Sequence, residues 1–120
     1  MAGYGRSDRV GAAMQRELSQ LVRDDIKDPR LGMVTIQEVR VTRDLSHAKV
    51  YFTVMDKDSV KASTEVLNHA AGYLRRRLGD IMTLRLVPQL HFVYDTSIEE
   101  GMRLESLINQ AVKADRHEDD

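Results

Sequence analysis

The side chains that most often do chemistry in proteins are scattered along this sequence. The histidines at positions 47, 69, 91 and 117 never show a spacing such as HExxH, which puts two imidazole groups on one metal ion. Cysteine is absent, and so are the GxSxG, GxxxxGK[ST] and GxGxxG motifs. Adjacent carboxylates such as Asp24 and Asp25 point apart on a helix. We therefore predict no catalytic residue, metal site, cofactor or small-molecule substrate.

Positive charge is the remaining feature with chemical meaning, and it is unevenly distributed. The chain has 120 residues and a formal net charge of −1. Residues 60–94 carry a net charge of +3, whereas residues 95–120 carry −5. The acidic end hides a basic middle, so the overall charge is a poor guide to binding partners. Cationic side chains point to phosphate groups as a ligand.

The first basic set lies on the first predicted helix, from Ser7 as its N-cap to Lys27. Its apolar positions recur every three or four residues. Rotation by about 100° per residue gathers four cations into a stripe about 40° wide, opposite the apolar face. The stripe consists of Arg9, Arg16, Arg23 and Lys27. An ordinary solvated face gives the same pattern, especially with Glu17, Asp24 and Asp25 beside it.

The second basic set follows a glycine within "LNHAAGYLRRRLG". It consists of Arg75, Arg76 and Arg77, with Arg85 placed in the next strand. Tyr73 or Tyr94 would stack on a base if exposed. The alternative is a solvated helix face with both tyrosines in the core. If the arginines bind phosphate, their replacement by alanine should weaken binding and leave the melting temperature nearly unchanged.

The elements that position these residues form one α+β domain. "MVTIQEVRVT" and "HAKVYFTVM" predict two strands joined by a hairpin. The second strand alternates, with Ala48, Val50, Phe52 and Val54 on one face, and the first has a bulge near Gln37 and Glu38 where the apolar phase changes. Periodicity alone extends one helix from about Val60 to Met82, and the small residues at 70–72 allow two helices at a kink instead. "MTLRLVPQLHFVYD" predicts a third strand, interrupted at Pro88 and suited to an edge. Ser97 and Glu100 have the spacing of a capping box that begins a last helix.

These segments resemble the ribosome-binding factor A family of bacteria. The resemblance rests on "LNHAAGYLRRRLG", "LRLVPQLHFVYDTSIEEG", "DPRLG" and "VTRDLSHAKVYF", and on the order of the elements. It implies a type II KH-like fold, αββααβ, in which an AxG kink replaces the usual GxxG loop. Ala70, Ala71 and Gly72 match this kink, so Gly72 would permit a bend and a close approach that a side chain would obstruct. The expected division is a core at 1–95, a helical extension at 96–113 and a disordered polar tail at 114–120.

The resemblance also implies a function. A member of this family would bind the free 30S ribosomal subunit and its 16S rRNA, and would support late 16S rRNA processing and growth in the cold. It would act in the cytoplasm as a monomer, without catalysis and without contact with a membrane. The competing hypothesis is a protein-interaction module that uses the acidic last helix or a sheet edge. Binding that survives nuclease treatment would favour this alternative.

Overall fold

The computed structural model describes the backbone of residues 5–119 and the side chains of residues 5–114. Residues 1–4 of the expected core therefore lie outside the described residues. The helices are α1 (Arg6–Asp25), α2 (Val60–His69), α3 (Ala71–Ile81) and α4 (Ser97–Asp119), and the strands are β1 (Val34–Val41), β2 (His47–Val54) and β3 (Gln89–Tyr94). A short 3₁₀ turn, Lys57–Ser59, precedes α2. The predicted order of helix, strand, strand, helix, helix, strand is confirmed, and so is the α+β class.

The sheet has the order β1-β2-β3. β1 and β2 are antiparallel, whereas β2 and β3 are parallel. A register shift between Ile36 and Glu38 confirms the predicted bulge. β3 is an edge strand, as its proline suggested, but it begins only at Gln89. The prediction of strand for residues 82–88 is wrong.

The core lies between one face of the sheet and α1, α2 and α3. The fully buried side chains alternate along β2 as predicted, with Ala48, Val50 and Phe52 all at 0% exposure. Met14 and Leu18 of α1 and Leu74 and Leu78 of α3 meet them from the helical layer. Burial of this apolar surface supplies the main favourable free energy of folding.

Helix α1 begins and ends about two residues earlier than predicted. It begins at Arg6 with Gly5 at the N-cap, so Ser7 lies inside the helix, and Asp8 accepts a hydrogen bond from the Gly5 amide at 3.0 Å. It ends at Asp25, and Ile26 is extended, with φ −94° and ψ 106°. The half-buried Ile26 packs against the core, which an additional helical turn would prevent. Lys27 therefore follows α1 instead of belonging to it.

Helix α4 differs from its prediction at both ends. It starts at Ser97, and the Asp95 carboxylate accepts a hydrogen bond from the Ser97 amide at 2.9 Å. The predicted capping box of Ser97 and Glu100 is wrong, because the Glu100 amide donates to the Thr96 carbonyl and the Glu100 carboxylate accepts from Thr96 Oγ1, both at 2.8 Å. Hydrogen bonding to Ser97 lowers the pKa of Asp95. The helix continues to Asp119, beyond the expected boundary at residue 113. The side chains of 115–120 lie outside the described residues, and disorder of the tail stays a prediction.

Candidate nucleic-acid interface

The cationic stripe on α1 is present on the outer surface of the helix. Arg9, Arg16 and Arg23 are exposed, while the opposite side of α1 is buried at Met14 and Leu18. Among residues 5–114, none of these three guanidinium groups takes part in an ion pair. Such groups are free to contact an anionic ligand. The stripe therefore consists of three residues at intervals of seven positions. Lys27, its fourth predicted member, lies beyond the end of α1.

Lys27 is exposed but is not held in line with the stripe. It lies between the end of α1 and the turn at Asp28 and Pro29. Arg30 forms an ion pair with Asp28 at 2.9 Å, and the hydrogen bonds from Arg30 lower the pKa of Asp28 to about 2. The carboxylate next to Lys27 in the chain is thus paired with Arg30.

The three consecutive arginines of α3 have different environments. Arg75 is half-buried and donates from Nε and Nη2 to the backbone oxygen of Val87, at 3.0 and 2.8 Å. Arg77 is half-buried, and its Nε lies 3.4 Å from the Asp25 carboxylate of α1. Arg76 is exposed, and the described part of the chain provides it with no hydrogen bond or ion pair. Only Arg76 presents its whole charged group to a ligand.

Arg75 explains why the third strand starts late. Its guanidinium occupies the Val87 carbonyl, and the next residue, the buried Pro88, has no amide hydrogen to donate to a ladder. Arg85 lies exposed in this irregular segment, so its predicted position in a strand is wrong. Alanine at position 75 would leave the Val87 carbonyl without this partner. We therefore expect the triple alanine variant to lose stability as well as binding, in contrast to the sequence-based expectation of a nearly unchanged melting temperature.

A hydrogen-bonded contact between α1 and α3 places both basic sets on the same helical layer. The Tyr73 hydroxyl donates to the Asp25 carboxylate at 2.7 Å, beside Arg77. This hydrogen bond raises the pKa of Tyr73. Arg77 thus offsets the charge of Asp25, and Tyr73 donates a hydrogen bond to the same carboxylate, which reduces the effect of Asp25 on the neighbouring stripe.

The two tyrosines considered for base stacking differ in exposure. Tyr73 is 40% exposed, with its hydroxyl held by Asp25. Tyr94 is half-buried, meets Phe52 edge-on at a centroid distance of 6.0 Å and donates to Glu99 at 2.8 Å. That hydrogen bond raises the pKa of Tyr94. The core prediction is therefore correct for Tyr94, and only Tyr73 offers part of a ring to a ligand.

The break between α2 and α3 lies at Ala70, directly before Ala71 and Gly72. Ala70 has φ −83° and ψ −1°, a conformation open to any L-residue. Gly72 is exposed inside α3, and a Cβ atom there would have only the Nη1 atom of Arg76, at 4.0 Å, within reach. Two helices are confirmed. The expectation that Gly72 is needed for the bend or for close packing is wrong, because the bend does not use it and no atom approaches it.

The face of the sheet opposite the helices received no role from the sequence. Arg40, Lys49 and His91 lie exposed there in one row, since Lys49 is paired with both other residues. The signal was present in the alternation of β2, which buries Ala48 and Val50 and so turns Lys49 outward. Within the described residues, no group of three or more His, Cys, Asp or Glu side chains could hold a metal ion. No described helix is long and apolar enough to span a bilayer.

Comparison with known proteins identifies the family. The family model described as "Ribosome-binding factor A" matches residues 6–108. The chain belongs to the ribosome-binding factor A family. Ribosome-binding factor A of Azotobacter vinelandii is 55% identical over 117 residues, which cover 94% of this chain and 91% of that protein.

Two solved structures of ribosome-binding factor A from Thermus thermophilus share the fold. The crystal structure has a TM-score of 0.67 and 26% identity, and covers 76% of this chain and 97% of its own. A homology model fitted into a cryo-electron microscopy map of a complex with 30S has a TM-score of 0.63 and 26% identity, and covers 72% and 91%. The name of the second structure describes a complex of ribosome-binding factor A with 30S.

Proposed function

We propose that this chain binds the free 30S ribosomal subunit through 16S rRNA. It thereby supports late 16S rRNA processing and growth in the cold. The observation that carries the proposal is membership of the ribosome-binding factor A family, together with a Thermus thermophilus relative described in complex with 30S. The exposed cations of the helical layer supply the physical means, because phosphate contacts dominate the affinity of proteins for nucleic acids.

The proposed contact surface, which we call the helical basic surface, has two kinds of residue. Arg9, Arg16, Arg23, Lys27, Arg76 and Arg85 contact phosphates. Arg75 and Arg77 belong to the surface as positioning residues, because their hydrogen bonds hold α3 against Val87 and Asp25. Phosphate contacts orient a protein on its RNA without identifying bases.

The proposed mode of action is binding without catalysis. A factor that binds one arrangement of immature rRNA more tightly than others shifts the population toward that arrangement. The scaffold is the type II KH-like domain of residues 1–95, supported by the order αββααβ and by the break at Ala70. Residues 96–113 form its helical extension, followed by the polar tail at 114–120. We place the monomeric factor in the cytoplasm, where it meets ribosomal subunits.

The deciding experiment is co-sedimentation of the full chain with isolated 30S subunits over a range of salt concentrations. Replacing Arg9, Arg16 and Arg23 together by alanine should weaken binding at least about tenfold and reduce the salt dependence, because three phosphate contacts are lost. The matched control replaces Lys57, Arg103 and Lys113, which removes the same charge away from the helical basic surface.

Three outcomes have distinct meanings. A loss confined to the α1 variant supports the helical basic surface. Equal losses in both variants would show that only net charge matters, which would remove the assigned surface. Absence of wild-type binding to 30S would overturn the proposed function itself.

A protein-interaction module is the second candidate, and α4 favours it. Its large apolar side chains are exposed, from 45% at Val112 to 65% at Met102. Exposed apolar surface of this kind is typical of protein contacts. Binding to a protein that survives nuclease treatment and the loss of the arginines would favour this candidate.

A further inference from the structure

The sheet has one face without a helical layer. α1, α2 and α3 all pack on the face that buries Ala48, Val50 and Phe52. On the opposite face His47 and Lys49 of β2 and His91 of β3 are exposed. The side chains of neighbouring strands stand about 4.8 Å apart across such a face. A flat surface of polar and ring-bearing groups is thus open to a ligand.

A row of basic side chains crosses this face. Arg40 of β1 and His91 of β3 are the register partners of Lys49 on β2. Like charges directly opposite each other destabilise a sheet. Glu38 offsets Arg40 through an ion pair at 3.2 Å, and the Arg40 guanidinium also lies 5.4 Å from the centre of the Tyr51 ring. Lys49 has no ion pair among residues 5–114, so its charge is left for a ligand.

Two imidazole rings complete the row. His47 and His91 stack with centroids 5.3 Å apart and an interplanar angle of 29°, and His47 Nδ1 lies 3.0 Å from His91 Nε2. Nitrogen atoms at this distance share one proton when both rings are neutral. They line a depression of about 550 Å³ with four other residues. Those residues are Arg40, Val41, Thr42 and Lys49.

We propose that Arg40, His47, Lys49 and His91, the sheet-face cluster, bind single-stranded RNA on the side of the molecule opposite the helical basic surface. Lys49 and Arg40 contact a phosphate, and an unpaired base stacks on the exposed imidazole of His47 or His91. Histidine rings and arginine planes are the stacking partners that single-stranded RNA uses on proteins. The proposal assigns an RNA site in addition to the proposed 30S contact, and isolated RNA is sufficient to test it.

An RNA ligand fits the cluster better than an acidic protein segment. Carboxylates would pair with the cations but leave the two imidazole rings and the depression that they line unoccupied. A nucleotide uses the cations through its phosphate and the rings through its base. The helices and the sheet-face cluster lie on opposite sides of the sheet, so one molecule can hold two RNA segments at once. An acidic peptide is nevertheless the alternative that the experiment must exclude.

The experiment measures fluorescence anisotropy of a labelled mixed-sequence RNA of about 12 nucleotides with the full chain. Lys49→Ala should weaken binding by about tenfold and reduce the slope of log K against log salt by about 0.7, the value for one phosphate of a single strand. His47→Gln together with His91→Gln should weaken binding by about fivefold or more, because the rings that stack on a base are lost. Lys61→Ala, which removes the same charge from another exposed site without an ion pair among residues 5–114, should bind within about twofold of wild type.

Circular dichroism melting checks that each variant is folded, and Arg40→Gln gives an independent test of the same cluster. Wild-type affinity of Lys49→Ala, Arg40→Gln and the double histidine variant at every salt concentration would overturn the proposal. Variants that retain RNA binding but lose the binding of a polyglutamate peptide would also overturn it, in favour of a protein ligand. Neither result would affect 30S binding through the helical basic surface, which the α1 variant tests.

Discussion

At the scale of single residues, the glycine that the structure requires is not the one that the sequence draws attention to. Gly11 of α1 is buried against β1, and a Cβ atom added there would clash with the Val39 carbonyl oxygen. Gly72 is exposed and has open space around it. The close approach of a helix to a strand excludes a side chain at position 11, whereas the helix break does not exclude one at position 72.

A matched pair of alanine substitutions tests this conclusion. Gly11→Ala should destabilise the protein by about 1–3 kcal/mol, because α1 must move away from the sheet. Gly72→Ala should be neutral or stabilising by about 0.5 kcal/mol, because alanine favours the helix. Urea denaturation followed by circular dichroism measures both. A larger loss at position 72 than at position 11 would contradict the assignment.

At the scale of elements, the β1–β2 hairpin depends on one carboxylate. Asp44 accepts hydrogen bonds from Ser46 Oγ at 2.6 Å, Thr42 Oγ1 at 2.7 Å and the Ser46 amide at 3.1 Å. These bonds lower the pKa of Asp44 to about 2, and the bond from the Ser46 side chain has the largest effect. They also support a turn in which Leu45 adopts φ 61°, a left-handed conformation that is unfavourable for leucine.

The hairpin should therefore show a pH-dependent contribution to stability. A carboxylate with a lowered pKa stabilises the fold above its unfolded value of about 3.9, and this contribution is lost as the pH falls through about 2. Asp44→Ala should melt at a lower temperature than wild type at about pH 7, and the gap should narrow as the pH falls from about 5 toward 2. Asp80→Ala, at an exposed position of α3, is the control. A difference in melting temperature between wild type and Asp44→Ala that does not change with pH would contradict stabilisation by hydrogen bonds to the ionised Asp44 carboxylate.

The sequence pattern predicted the elements correctly where contacts between residues close in the chain determine them. The shift of apolar phase after Ile36 predicted the bulge, and the alternation along β2 predicted its buried face. The start of β3 and the roles of the arginines depend on contacts between distant residues. Arg75 meets Val87 and Arg77 meets Asp25 only after folding, so a run of three arginines could not reveal that two of them hold the helices together.

At the scale of the whole molecule, α4 adds length without adding to the core. The Glu99 side chain connects its first turn to the core through Tyr94 at 2.8 Å and Lys57 at 3.6 Å. Beyond that turn, Leu104, Leu107 and Ile108 are more than half exposed. Side chains that remain in water contribute little of the free energy of hydrophobic burial.

Removal of residues 101–120 should therefore leave the melting temperature within about 2 °C of the full chain, because the shortened protein keeps the Tyr94–Glu99 contact. Differential scanning calorimetry of both forms makes the comparison. The released segment should be only marginally helical as a free peptide, since short isolated helices are poorly stable in water. A large fall in melting temperature would show that α4 packs on the domain in solution.

The parallel pairing of β2 with β3 also determines when the molecule can fold. β1 and β2 are neighbours along the chain, whereas β3 follows two helices and joins the sheet last in sequence order. A parallel partner requires such a crossover, and pairings between distant segments form slowly. During synthesis the hairpin is complete at Val54, and α1 is already available to pack on its apolar face, yet the edge of β2 that pairs with β3 stays free until Tyr94 has left the ribosome. The domain thus reaches its native state only when nearly all of it has been translated.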